Sequence, residues 1–127
     1  MVIELEHAFS GTHVFGEFYG VDGHLLNDYD RLESALLAAI QKSGATVCNI
    51  QGKLFSPNGI TILALLEESH ASLHTYPEEG AVFFDVFTCG NKCNPLEAVE
   101  MLRAAFRPTE EKVKVNQRGR KKAKVLE

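Results

Sequence analysis

The sequence predicts an α+β domain, a two-layer α/β sandwich in which an antiparallel sheet carries two helices on one face. Two segments repeat apolar residues at helical spacing, and five short runs rich in β-formers are bounded by turn residues, giving the order β-α-β-β-β-β-α. The last two of these runs are joined by a connection too short for a crossover, which makes them antiparallel neighbours.

Residues 13–20 mix alternation with β-formers and stop at Gly20, as a strand does. Residues 27–30 then offer helix-capping side chains, Asp30 and Glu33 stand at capping-box spacing, and Leu32, Leu36 and Ile40 recur every fourth residue. Gly44 suits the left-handed C-terminal position that ends this helix. Residues 45–50 form a short β run, and the turn at Ser56-Pro57-Asn58-Gly59 opens a strand over 60–66. That strand is apolar at nearly every position, so both its faces call for cover, and a sheet-to-sheet dimer would supply the second. Strands over 69–76 and 81–89 follow, parted by Pro77-Glu78-Glu79-Gly80. Asn94, Pro95 and Glu97 begin the second helix as cap, first-turn proline and first-turn acid, with Leu96, Val99, Leu102 and Phe106 as its apolar side and Pro108 at its end.

The chain has 127 residues, 45% of them hydrophobic, with eight Phe and no Trp, which is enough for one domain with a core of its own. Charge divides it. Residues 1–108 carry six Lys/Arg against fourteen Asp/Glu, whereas 109–127 carry seven against three. The expected organisation is therefore a domain over 1–108 and a basic, disordered tail over 109–127. Aromatic residues are not interleaved with the tail's charges, so no nucleic-acid role is assigned to it. The acidic start lacks signal-peptide character and no apolar stretch nears membrane-spanning length, which predicts a cytoplasmic protein without membrane contact. Three cysteines, Cys48, Cys89 and Cys93, argue against a disulfide framework.

Reactive side chains concentrate in Glu68-Ser69-His70-Ala71-Ser72-Leu73-His74-Thr75-Tyr76-Pro77-Glu78 and in Thr88-Cys89-Gly90. Spacing alone leaves several chemistries open. His70 with His74 and Cys89 with Cys93 have zinc-like separations, although a chain with this many regular elements needs no metal to fold. Ser69 or Cys89 activated by a histidine would make a nucleophile, but the G-x-S-x-G elbow is absent. The remaining reading is a polar, half-exposed strand without chemistry.

The strings Phe55-Ser56-Pro57-Asn58-Gly59-Ile60-Thr61, Glu68-Ser69-His70-Ala71-Ser72-Leu73-His74-Thr75-Tyr76-Pro77-Glu78 and Asp85-Val86-Phe87-Thr88-Cys89-Gly90 resemble those of the prokaryotic S-adenosylmethionine decarboxylase proenzymes. So do His13-Val14, Glu17-Phe18-Tyr19-Gly20 and Leu26-Asn27-Asp28, and the resemblance runs over about residues 13–107. It implies a homodimer with four layers, α/β/β/α, and a chain that cuts itself between Glu68 and Ser69. The Ser69 hydroxyl would attack the preceding carbonyl, and the residue would end as a pyruvoyl group, the only cofactor, which forms a Schiff base with the substrate amine. No metal is implied.

By the same resemblance His74 is the proton acceptor in processing, Thr61 supports processing where the family usually has serine, and Cys89 is the proton donor in decarboxylation. Phe55 and Tyr76 sandwich the adenine, and Glu78 holds the ribose. The implied activity is decarboxylation of S-adenosylmethionine to supply the aminopropyl donor of spermidine biosynthesis. Lys53 departs from the family, which has histidine there. It motivates one alternative, a pyruvoyl-dependent decarboxylase acting on ornithine or arginine. Another is a non-catalytic partner subunit of an active decarboxylase. On a regular strand residues 69 and 74 would face opposite sides, so Ser69 is expected at a bend.

Overall fold

The computed structural model describes residues 9–67, 69–90 and 92–120. The acidic start, Glu68 and the basic residues from 121 onward therefore lie outside the described residues. The elements are β1 Ser10–Tyr19, α1 Gly23–Leu26, α2 Tyr29–Ser43, β2 Val47–Leu54, β3 Ile60–Leu66, β4 Ser69–Tyr76, a 3-10 turn Pro77–Glu79, β5 Ala81–Cys89, α3 Pro95–Phe106 and β6 Glu110–Gly119. One sheet holds all six strands in the order β2-β3-β4-β5-β1-β6, each antiparallel to its neighbours.

Alternation sorts the side chains. Val14, Phe18, Ile60, Ile62, Leu73, Val82 and Val86 point to one face and are fully buried against Leu32, Leu36 and Ile40 of α2 and Leu102 of α3. Each such side chain contributes roughly 1.5–3 kcal/mol by leaving water, so this single layer of contacts holds the helices to the sheet. Gly16 is required there by space: a Cβ on it would stand 2.5 Å from the Phe84 ring.

The helix ends refine the sequence reading. Asp28, not Asp30, caps α2, its carboxylate accepting from the Arg31 N–H at 3.2 Å, and Asp30 falls in the first turn. Gly44 ends the helix at φ 93° as expected. Asn94 caps α3 by accepting from the Leu96 N–H at 3.0 Å, but Leu96 itself is exposed, and Ala98 joins Val99, Leu102 and Phe106 on the buried side.

The expected disordered tail is corrected over its first half. Residues 110–119 form β6, which pairs along the whole of β1. Net charge misled because the strand's own period is two: Val113 and Val115 alternate with Lys112 and Lys114, and lysines on one side suit an edge strand. Arg103 of α3 adds a clamp, donating to both Glu111 oxygens at 2.8 and 2.7 Å and to Glu100 at 2.6 Å. Those bonds hold the Glu111 carboxyl below its usual value.

Opposite the helices the sheet is open. Leu63 and Leu65 are 54% and 59% exposed, and Phe15 and Phe83 share that face, so one chain leaves bare the apolar surface for which the strand composition demanded cover.

Candidate functional site

The described residues to which the resemblance gives a role fall into two groups, one at each end of β4. The first stands at the β3–β4 corner. Leu66 pairs with Ser69, Glu67 turns away from the end of β3, and Ser69 is the first residue of β4. The Ser69 hydroxyl turns back to the loop and donates to the Glu67 carbonyl at 3.1 Å. Ser69 is in regular strand register, so the bend expected there is not seen and residues 69 and 74 stay on opposite sides of β4. Cys89 ends β5, opposite Gly11, and because His70 pairs with Phe87 it lies at the same end of the sheet as Ser69.

Between them lies a cluster to which sequence reasoning assigned no role. Asp85 accepts from His13 Nε2 at 2.7 Å, from His70 Nε2 at 3.0 Å and from the Ser72 hydroxyl. Burial pushes the Asp85 carboxyl up, but the bonds from Ser72 and His13 and the charge and bond of His70 outweigh it and hold the group below the ordinary carboxylate value. Arg118 of β6 reaches the cluster, its Nη1 3.4 Å from His13 Nδ1 and its guanidinium 4.8 Å over the Phe87 ring. One signal could have found the group: residues 13, 70, 72 and 85 share a side once their strands are paired, but the pairing of β1 with β5 spans most of the chain.

The second group stands at the opposite end of β4. His74 Nδ1 is hydrogen-bonded to the Thr61 hydroxyl. The His74 ring lies edge-on to Tyr76 at 4.5 Å and to Phe55 at 5.9 Å, and Tyr76 meets Phe83 at 4.9 Å. Glu78 is exposed on the 3-10 turn just beyond. Lys53 is on this face and holds its ammonium 5.4 Å from the Phe55 ring centre. Thr75, inside the same string, points away: it bridges the Leu26 carbonyl and the Ile60 N–H within the core and is structural.

Within one chain, then, Ser69 and His74 do not meet. Five residues of strand part them, about 16 Å. His70 and His74 share a face but lie about 13 Å apart along the strand, so the H-x3-H spacing, convergent on a helix, does not converge here.

These features define a class: a two-layer α+β domain whose reactive side chains stand on the open face of an antiparallel sheet. A family model described as S-adenosylmethionine decarboxylase matches residues 12–119, β6 included. The chain belongs to that family. It is 40% identical over 123 residues to the S-adenosylmethionine decarboxylase proenzyme of Brevibacillus brevis, covering 97% of this chain and 92% of the relative. The proenzyme of Prochlorococcus marinus is 45% identical over 93 residues, 73% of this chain and 74% of its own. Among solved structures, the adenosylmethionine decarboxylase of Aquifex aeolicus superposes with a TM-score of 0.86 at 27% identity, covering 94% of this chain and 99% of that one. No helix among the described residues is long and apolar enough to cross a membrane.

Proposed function

We propose that this chain is a proenzyme that cuts itself between Glu68 and Ser69 and then decarboxylates S-adenosylmethionine, the activity for which its relatives are named. The observation that carries the cleavage is the position of Ser69, at the start of β4 with its hydroxyl donating to the Glu67 carbonyl. In the cut, the Ser69 oxygen attacks the carbonyl of residue 68, the peptide C–N bond breaks and an ester takes its place. Loss of the Cα proton expels the carboxylate of residue 68. Water then replaces the nitrogen, which leaves as ammonia, and residue 69 becomes a pyruvoyl group. That group supplies an electron sink for the bond to the departing CO2. The remaining tasks fall to side chains of the chain. The Cys89 thiol returns a proton to the substrate Cα, Phe55 and Tyr76 stack the adenine, and Glu78 accepts from the ribose hydroxyls.

The separation of about 16 Å along β4 supports a homodimer in which two open faces meet. Stacked antiparallel, one copy's Ser69 and Cys89 come against His74 of the partner subunit, with Thr61 orienting that imidazole as it takes the Cα proton. The same contact covers Leu63 and Leu65 and yields the four-layer α/β/β/α arrangement. A cytoplasmic setting, which keeps Cys89 reduced, suits the chemistry. The product would be the aminopropyl donor for spermidine synthesis.

Mass spectrometry of purified protein tests the first step: two fragments, the second beginning with a pyruvoyl group, are expected, and a single intact chain would refute it. Release of labelled CO2 from S-adenosylmethionine, ornithine and arginine then tests the substrate. The ornithine or arginine alternative rests on Lys53, yet that ammonium already lies against the Phe55 ring. Turnover confined to ornithine or arginine would overturn the S-adenosylmethionine reading.

A further inference from the structure

Asp85 gathers three donors from three strands, and the reaction described above gives it no task. Its carboxylate is fixed by Ser72 beside it on β4 and by His13 on β1, and the third bond goes to His70. Arg118 sets the polarity of the cluster. A guanidinium can only donate, so His13 Nδ1 accepts and its Nε2 carries the proton given to Asp85. The nitrogen, oxygen and nitrogen atoms of His13, Asp85 and His70 lie within 4.8 Å of one another, but a protonated Nε2 has no lone pair for a metal, and the arrangement is a hydrogen-bonded hub.

The position of the third donor matters most. His70 follows Ser69 directly, so its amide nitrogen carries the acyl group made from residue 69 once the chain is cut. Cleavage removes one covalent tether from that residue, and new chain ends fray unless they are tied down. The His70 side chain is 48% exposed, against 22% for Asp85, and among the described residues it has, besides the Asp85 bond, ring contacts with His13 and Phe87 at 5.7 Å. We infer that Asp85 is a positioning residue: by holding the His70 ring, it fixes the new chain end and with it the reacting carbonyl of residue 69. The inference rests on the cleavage reading above.

The test compares His70→Ala, His70→Gln and Asp85→Asn as full chains, with glutamine chosen because its amide nitrogen can replace Nε2 as donor. All three should still yield two fragments. In the cut protein, deuterium uptake by the peptide following residue 69 should speed about tenfold in His70→Ala and Asp85→Asn and stay near wild type in His70→Gln. In the same two variants kcat should fall about tenfold with KM changed less than about twofold, a smaller loss than the roughly hundredfold that a 1 Å displacement can cost. Wild-type exchange and turnover in His70→Ala would overturn the inference, and so would a His70→Gln as impaired as His70→Ala. Should Asp85→Asn not fold, the two variants at the half-exposed His70 decide alone. If the wild-type chain stays whole, the cleavage reading fails by itself. Nitrogen-15 spectra of the histidine rings still judge the hub in that case: Nε2–H forms of His13 and His70, lost in Asp85→Asn, support it, and Nδ1–H forms refute it.

Discussion

The two ends of the open sheet face are built from different materials. At the corner, His13, His70 and Ser72 donate to the one carboxylate of Asp85, Arg118 backs His13, and Ser69 and Cys89 stand beside this polar network. At the far end Phe55, His74, Tyr76 and Phe83 make a cluster of rings with Thr61 as its main polar contact. A satisfied polar network rigidifies the groups it joins, whereas exposed aromatic rings offer faces on which a flat ligand can stack. A single chain places them a strand's length apart.

The sharpest way to break this comparison is to disable one end in each of two chains. Ser69→Ala alone should abolish cutting, and His74→Ala alone should stop at the ester, which hydroxylamine then cleaves. Mixed dimers of the two should recover cutting, in the His74→Ala chain only, because its intact Ser69 faces His74 of the partner subunit. Gel electrophoresis of tagged chains reads the result. No recovery would mean that each chain builds its site alone.

Next in size is Cys89→Ala. It should still cut, at least in part, but lose about 10²-fold or more in turnover, the usual worth of a general acid. Full activity in the cut variant would remove the thiol from that role. Smaller again is Tyr76→Leu, which should raise KM for S-adenosylmethionine about fivefold, the equivalent of one lost aromatic contact of ~1 kcal/mol, with kcat little changed. An unchanged KM would show that the ring cluster is packing and not a binding platform.

The smallest effect is on stability. Asp85 has a folded pKa below its unfolded one, so its contribution is complete above the ordinary carboxylate range and is lost as pH falls through the folded value. Thermal unfolding of wild type and Asp85→Asn should therefore differ most near neutrality and converge in acid. A gap that widens on acidification would contradict the hub.

Much of this was legible in the chain. Helical spacing of Leu32, Leu36 and Ile40, the cap at Asn94, the stop at Gly44 and the alternation along 69–76 and 81–89 are local signals, set by backbone geometry and side-chain shape within a few residues. That residues 69 and 74 cannot share a strand face was also legible, and the structure keeps them on opposite sides of β4. β6 was missed because net charge was weighed over a period-two pattern that only Val113 and Val115 carry.

By itself, then, the sequence determined the helices, the strands, their two faces and the family strings with Ser69, His74 and Cys89. Tertiary structure decided which of those residues meet. Register between β1 and β5 joins residues 13 and 85, and register between β1 and β6 brings Arg118 beside them, contacts that no local pattern encodes. The length of β4 separates Ser69 from His74, since an extended chain advances about 3.3 Å per residue however reactive its side chains are.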